Sequence, residues 1–108
     1  MQGNEFDIRE SRTADGVLRV TVYGELDLET GPALATRLEQ LRSPGLTIHL
    51  DLSELDFIDS TGIQVLIEAA AAGEELGSEL GIEPTLTPQV ERVMTLVHAD
   101  RLLLPDGD

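Results

Sequence analysis

The chain has 108 residues, of which 41% are apolar, 3% are aromatic and none is cysteine, and its formal net charge is −14. This composition supports one domain with a modest core. It excludes disulfide frameworks, thiol chemistry and the basic surface that a nucleic-acid-binding protein needs. No apolar stretch reaches transmembrane length, and the acidic N-terminus lacks the apolar core of a secretory signal. We therefore expect a cytoplasmic domain over residues 1–108, with its core at about 6–104, a tail at 105–108 and no insertion into a membrane.

The N-terminal segment predicts a β-hairpin. Leu18, Val20 and Val22 alternate with polar neighbours, which is typical of a half-buried strand. An Asp-Gly pair at 15–16 is a strong turn signal, so the segment 6–12 before it is expected to be the antiparallel partner.

A helix and a strand are predicted next. The helix extends from Glu29 to Leu41, with Thr30 as its cap and a proline in its first turn. The strand covers 46–52, where apolar and polar residues alternate. A strand buried on both faces would be apolar throughout, so this alternation places the helices mainly on one face of the sheet.

The most informative run extends from Asp51 to Ile67. It predicts the end of a buried strand, a short acidic loop and a helix from about Ser60 to Leu76. Ser60 falls where the first backbone N–H groups of the helix are unpaired, and we expect it to be the N-cap. Those N–H groups and the helix dipole favour negative charge. A phosphoryl group on Ser60 would therefore be tolerated, while it changes the local charge by about −1.5 to −2.

The last third of the chain is less regular. Gly81 and Pro84 argue against a central strand over 80–86, so an edge or irregular strand is expected there. A Thr-Pro pair at 87–88 begins a third helix, and 102–104 is expected to add a short final strand. Together the elements predict an α/β domain with a mixed sheet of four to five strands, an N-terminal hairpin and about three helices mainly on one face.

Functional residues are expected at the carboxyl edge of this sheet, because that edge carries the sites of open α/β folds. The turns after Tyr23 and after Leu52 both leave that edge. Asp27 and Ser60 are therefore expected to be neighbours, although they are distant in sequence.

Other kinds of chemistry have less support. The acids of segment 51–59 lack the pattern of a calcium loop, and we interpret them as solvated, with Asp59 placed to orient Ser60 or a magnesium-bound nucleotide carried by a partner. His49 and His98 stand alone on separate elements and predict neither a catalytic nor a metal site. A small hydrolase built on Asp59 or Ser60 is an alternative that lacks a recognisable base or oxyanion arrangement. No cofactor is predicted.

Four motifs stand in the order and spacing of one domain family, and the match spans residues from about 6 to 104. They are Gly24–Asp27, Leu50–Ser53, Phe57–Ile63 and Thr87–Val90. Together they resemble the STAS domain of bacterial anti-sigma factor antagonists. The resemblance implies a regulatory binding protein without catalysis of its own, whose unmodified form binds an anti-sigma factor that is also an ATP-dependent serine kinase.

Carried over by position, the resemblance implies that Ser60 is the phosphoacceptor. It places Asp27, Asp59, Thr61 and Gly62 with Ser60 on the partner-binding surface. Phosphorylation ends the binding, and a serine phosphatase restores it. We expect a monomer or weak dimer.

The C-terminal third departs from the family pattern. Gly81 and Pro84 interrupt a strand that is more regular in the family, and His98 stands where the family often has glycine. The choice of partner is therefore left open. A short STAS-type regulatory subunit of a lipid-transport ATPase complex is the alternative function.

Overall fold

The fold is a mixed β-sheet with helices packed on it, and a computed structural model describes it for residues 5–105. The sheet has five strands, in the order β1-β2-β3-β5, with β4 paired to β2. The elements in chain order are β1 (Asp7–Arg12), β2 (Leu18–Leu26), α1 (Gly31–Leu41), β3 (Thr47–Asp51), β4 (Leu55–Ile58), α2 (Ser60–Leu76), β5 (Glu79–Ile82), α3 (Pro88–Leu96) and a 3-10 turn (Ala99–Leu102).

The predicted hairpin is confirmed. β1 and β2 pair antiparallel, with Ile8 opposite Val22, and Gly16 in the turn has a φ of 88°. The remaining pairings are parallel: β2 with β3, β2 with β4 and β3 with β5. The predicted tail at 105–108 lies outside the described residues except for Pro105, and so do residues 1–4.

The core lies on one face of the sheet, as the alternation in the strands predicted. Strand side chains on this face that are at most 1% exposed include Val20, Val22, Ile48, Leu50 and Ile82. The equally buried helix side chains that pack against them are Leu34 and Leu38 of α1, Leu66 of α2 and Met94 of α3. Burial of this apolar surface is the main force that holds the helices on this face.

The helix boundaries agree closely with the sequence. α2 extends from Ser60 to Leu76 and α3 begins at Pro88, as predicted. α1 begins at Gly31, two residues later than expected. Thr30 is its N-cap residue, but its hydroxyl donates to the carbonyl of Glu25 at 2.7 Å instead of capping the helix.

The segment predicted as a short acidic loop contains β4, so that prediction was wrong. Leu55 and Ile58 are fully buried, while the two residues between them are exposed. The strand was missed because it is only four residues long and its alternation is broken. Its stability comes from pairing with β2, where Ile58 lies opposite Leu26.

The edge strand predicted over 80–86 is present but shorter, since β5 covers Glu79–Ile82 and is the last strand of the sheet order. A Cβ on Gly81 would overlap Cδ2 of Leu104, so the Leu104 side chain occupies the space over this glycine. The predicted strand at 102–104 is wrong. Only Leu103 forms a bridge, to Ile82, and it follows the 3-10 turn.

Candidate functional site

The carboxyl ends of β2 and β4 lie side by side. Leu26 is opposite Ile58, and the N–H of Asp59 donates to the carbonyl of Leu26 at 3.2 Å. Asp27 and Asp59 therefore begin two adjacent turns, one into α1 and one into α2. This juxtaposition confirms that the region of Asp27 and the region of Ser60 meet at one edge of the sheet.

Asp59, and not Ser60, is the N-cap of α2. Asp59 is extended, with φ −120° and ψ −172°, and its Oδ1 accepts from the N–H of Gly62 at 3.0 Å. The prediction that Ser60 caps the helix was therefore wrong. An Asp followed by a Ser offers two good capping residues in a row, and only the backbone geometry decides between them.

Ser60 is the first residue of α2 and is exposed. Within residues 5–105, its hydroxyl takes part in no side-chain hydrogen bond. Thr61 is different, because it is half-buried and its methyl group faces α1. A Cβ on Gly31 would lie 3.6 Å from that methyl group. Ser60 is thus the more exposed of the two hydroxyl-bearing residues.

Gly62 allows α2 to begin against the sheet. It is buried, and a Cβ there would lie 2.6 Å from the carbonyl oxygen of Leu26 and 2.8 Å from a side-chain carbon of Ile58. No larger residue fits without moving backbone. Gly62 therefore sets the position of the helix start, and any effect it has on a partner acts through that position.

Asp27 organises the neighbouring turn. Its Oδ1 accepts from the N–H of Thr30 at 3.1 Å and from the N–H of Glu29 at 3.0 Å. The bond from the backbone of Thr30 is the largest cause that lowers the pKa of Asp27 below its usual value of 3.8. The carboxylate is therefore charged at neutral pH.

Two exposed apolar side chains flank this edge and were not identified as functional from the sequence. Leu28 is 75% exposed in the turn after Asp27, and Phe57 is 37% exposed on β4. Phe57 would have stood out in the sequence if β4 had been recognised, because it occupies an outward position of that strand. The edge thus combines the carboxylates of Asp27 and Asp59 with two exposed apolar side chains.

Other features of the described chain do not converge on this edge. A groove of about 570 Å³ lies against α2, β5 and the C-terminal segment, and its lining includes neither Asp27 nor Ser60. Among residues 5–105, no group of three or more His, Cys, Asp and Glu side chains is arranged to hold a metal ion. In the same range, no helix has the length and apolar character to cross a membrane.

Comparison with known protein families gives a match over most of the chain. The family model described as "Mlab, STAS domain" matches residues 10–105. Among characterised proteins, an anti-sigma-B factor antagonist of Staphylococcus aureus is 34% identical over 74 residues, which are 68% of each chain. An anti-sigma-B factor antagonist of Bacillus subtilis is 27% identical over 66 residues, and the match spans 61% of each chain.

The fold also resembles solved structures. An anti-sigma factor antagonist from Mycobacterium paratuberculosis superimposes with a TM-score of 0.73 at 27% identity, and the match covers 92% of this chain and 83% of that one. The similarity in sequence and the similarity in fold therefore extend over the same single domain.

Proposed function

Because the chain belongs to the STAS-domain family, we propose that it is an anti-sigma factor antagonist whose binding is switched off by phosphorylation of Ser60. Its partner is an anti-sigma factor with serine kinase activity, and a serine phosphatase reverses the modification. The chain acts in the cytoplasm as a monomer or weak dimer. It performs no catalysis of its own, needs no cofactor and does not contact nucleic acid.

The observation that carries this proposal is the state of the Ser60 hydroxyl. It is exposed at the start of α2, it is not engaged by another side chain of the described residues, and the capping role belongs to Asp59. A kinase can therefore approach Ser60 without removing a bond that the fold needs. The similarity to anti-sigma factor antagonists supports the choice of an anti-sigma factor as the partner.

Phosphorylation acts on the binding surface and not on the fold. It adds a charge of about −1.5 to −2 beside Asp27 and Asp59, where the surface is already negative. A phosphate is compatible with a helix N-terminus, because the free N–H groups and the dipole favour negative charge. The added charge and bulk instead oppose close packing with the partner.

The net charge of the chain predicts the electrostatic character of the partner. At −14, it attracts a basic surface and accelerates association at low ionic strength. The exposed side chains of Leu28 and Phe57 provide apolar contacts within that charged surface. The proposed contact region also includes Asp27, Asp59, Ser60 and Thr61, with Gly62 buried beneath them.

The test of the phosphoacceptor is site-resolved mass spectrometry after incubation with the cognate kinase and magnesium-ATP. We expect one phosphate, on Ser60. Phosphate on Thr61 with Ser60 unmodified would contradict the assignment. A stable complex with a membrane ATPase that is unaffected by ATP would instead support the alternative of a transport-complex subunit.

The test of the switch is the affinity of two variants for the anti-sigma factor. Ser60→Ala should bind as the unmodified protein does and should resist inactivation by ATP, whereas Ser60→Asp should bind weakly. Ser43→Ala is the matched control, since Ser43 is exposed in the turn after α1, away from this edge. A folded Ser60→Ala variant that fails to bind would show that the hydroxyl is a required contact.

A further inference from the structure

Side chains of α3 bond to β4, the strand that leads into the helix start at Ser60. β4 pairs with β2 along one side, through the opposition of Ile58 and Leu26. On its other side, the backbone groups of Ile58 meet the side chain of Gln89. The N–H of Ile58 donates to Oε1 of Gln89 at 3.0 Å, and Nε2 of Gln89 donates to the carbonyl of Ile58 at 3.1 Å.

One amide side chain therefore makes the two bonds that a neighbouring strand would make. Thr87 adds a third, because its hydroxyl donates to the carbonyl of Leu55 at 2.8 Å. Thr87 is the N-cap residue of α3, yet its side chain makes no capping bond. Gln89 and Thr87 thus direct their polar groups to β4, where buried backbone groups would otherwise lack partners.

The contact lies two residues before Ser60 in the chain. Ile58 is fully buried, and it is followed by Asp59, which caps α2 through its bond from Gly62. Any shift of Ile58 is passed directly to that cap. The position of the exposed hydroxyl therefore depends on the pairing between Gln89 and Ile58.

We propose that Gln89 is a positioning residue for the Ser60 site, because its amide replaces a strand against Ile58 and holds the start of α2 in register with the sheet. The part of this inference that concerns phosphorylation rests on the proposed function. The part that concerns the helix start does not. Gln89 contacts neither ATP nor the partner in this role, and it acts only through the backbone of β4.

Two variants of Gln89 separate hydrogen bonding from packing. Gln89→Met keeps the length of the side chain and removes both bonds. Gln89→Glu keeps the shape but has no donor at neutral pH, so its carboxylate faces the carbonyl of Ile58. Gln40→Glu is the control for charge, because Gln40 is exposed on α1 and accepts from Arg37, as a glutamate also can.

Amide hydrogen exchange of the intact protein is the first measurement. In both Gln89 variants, the amides of Ile58 and Gly62 should exchange at least about 3-fold faster than in the wild type. Each variant loses the bond to the Ile58 carbonyl, and the methionine also loses the bond from the Ile58 N–H. The Gln40→Glu variant should leave them unchanged. Unchanged exchange at Gly62 in both Gln89 variants would overturn the proposal.

The pH dependence of Gln89→Glu distinguishes pairing from packing. When the introduced carboxyl is protonated, it regains a donor and can again bond both groups of Ile58. Protection of Ile58 and Gly62 should therefore recover as the pH falls. The wild type carries the same neighbouring carboxyl groups, Asp56, Asp59 and Glu91, so the difference from the wild type at each pH is the quantity to compare. Gln89→Met should show no recovery, and equal behaviour of the two variants would refute pairing as the cause.

The kinase assay connects this position to the switch. The value of kcat/KM for phosphorylation of Ser60 should fall at least about 3-fold in both Gln89 variants and stay unchanged in Gln40→Glu. If the wild type is not phosphorylated at all, the proposed function fails, while the exchange data still decide the role of Gln89. Faster exchange with unchanged kcat/KM would overturn the link between Gln89 and the switch.

Discussion

The two turns that meet at the carboxyl edge are built from similar residues, but they leave their hydroxyl groups in different states. In the turn into α1, the hydroxyl of Thr30 donates to Glu25 and accepts from the N–H of Asp27 at 3.0 Å. In the turn into α2, Asp59 makes the capping bond alone, and within residues 5–105 the hydroxyl of Ser60 bonds to no other side chain.

This difference separates a structural hydroxyl from one that is available for chemistry. Thr30 holds its own turn together, so its modification would cost bonds that the fold uses. Ser60 can be modified at little cost to the fold, because its aspartate neighbour carries out the capping. The comparison therefore explains why one of two adjacent helix starts is suited to a reversible switch.

The largest expected effect concerns the glycines of the two turns. Gly62→Ala should lower the free energy of unfolding by about 2 kcal/mol or more, because the new Cβ would lie 2.6 Å from backbone. Gly31→Ala should lower it by about 1 kcal/mol or less, because its nearest neighbour is a side-chain methyl of Val65 at 3.2 Å. Urea denaturation of both variants measures the difference. Equal losses would contradict the distinction between Gly62, which approaches sheet backbone, and Gly31, which approaches side chains of α2.

A smaller effect is expected at the two hydroxyls. Thr30→Ala should lower the free energy of unfolding by about 1–2 kcal/mol, since it removes bonds to Glu25 and Asp27. Ser60→Ala should change it by no more than about 0.5 kcal/mol. Thermal or urea unfolding gives both values. A larger loss for Ser60→Ala than for Thr30→Ala would reverse the assignment of the structural hydroxyl.

The smallest effect is the pH dependence that Asp27 contributes. Its pKa in the folded state lies below the usual value of 3.8, mainly because the N–H of Thr30 donates to it. Asp27 therefore contributes stability that is fully present above that value and is lost as the pH falls through the folded-state pKa. Asp27→Asn should make the fall in stability below about pH 4 less steep than in the wild type. Identical slopes would show that the turn does not depend on the charge of Asp27.

Residues with a regular pattern allowed the sequence to predict much of this edge. The alternation of Leu18, Val20 and Val22 predicted β2, and the run of helix-forming residues after Ser60 predicted α2 to its last residue. The meeting of the Asp27 and Ser60 turns followed from the rule that parallel strands present their carboxyl ends at one edge. These features depend on the local periodicity of apolar residues and on the order of strands and helices, and both can be read from the sequence.

β4 and the cap of α2 could not be predicted in the same way. A strand of four residues with two outward positions in a row has no clear period, and its pairing with β2 is what stabilises it. Asp59 and Ser60 are both good capping residues. Asp59 is the cap because it is the residue that stays extended at the end of β4, which pairs with β2. Both answers come from contacts between segments that are distant in the chain.

By itself, the sequence determined the α/β class, the hairpin, the extent of α2 and the motif that places Ser60 at a helix start. The tertiary structure alone decided that Asp59 is the N-cap of α2 and that Gln89 completes the pairing of Ile58. It also decided that the hydroxyl of Thr30 is hydrogen-bonded, whereas that of Ser60 bonds to no other side chain of residues 5–105. Hydrophobic periodicity is a local property and appears in any window of the chain. The partner of a polar group is set by whichever competing donor or acceptor the packed core brings within about 3 Å, and that competition is resolved only when the segments have assembled.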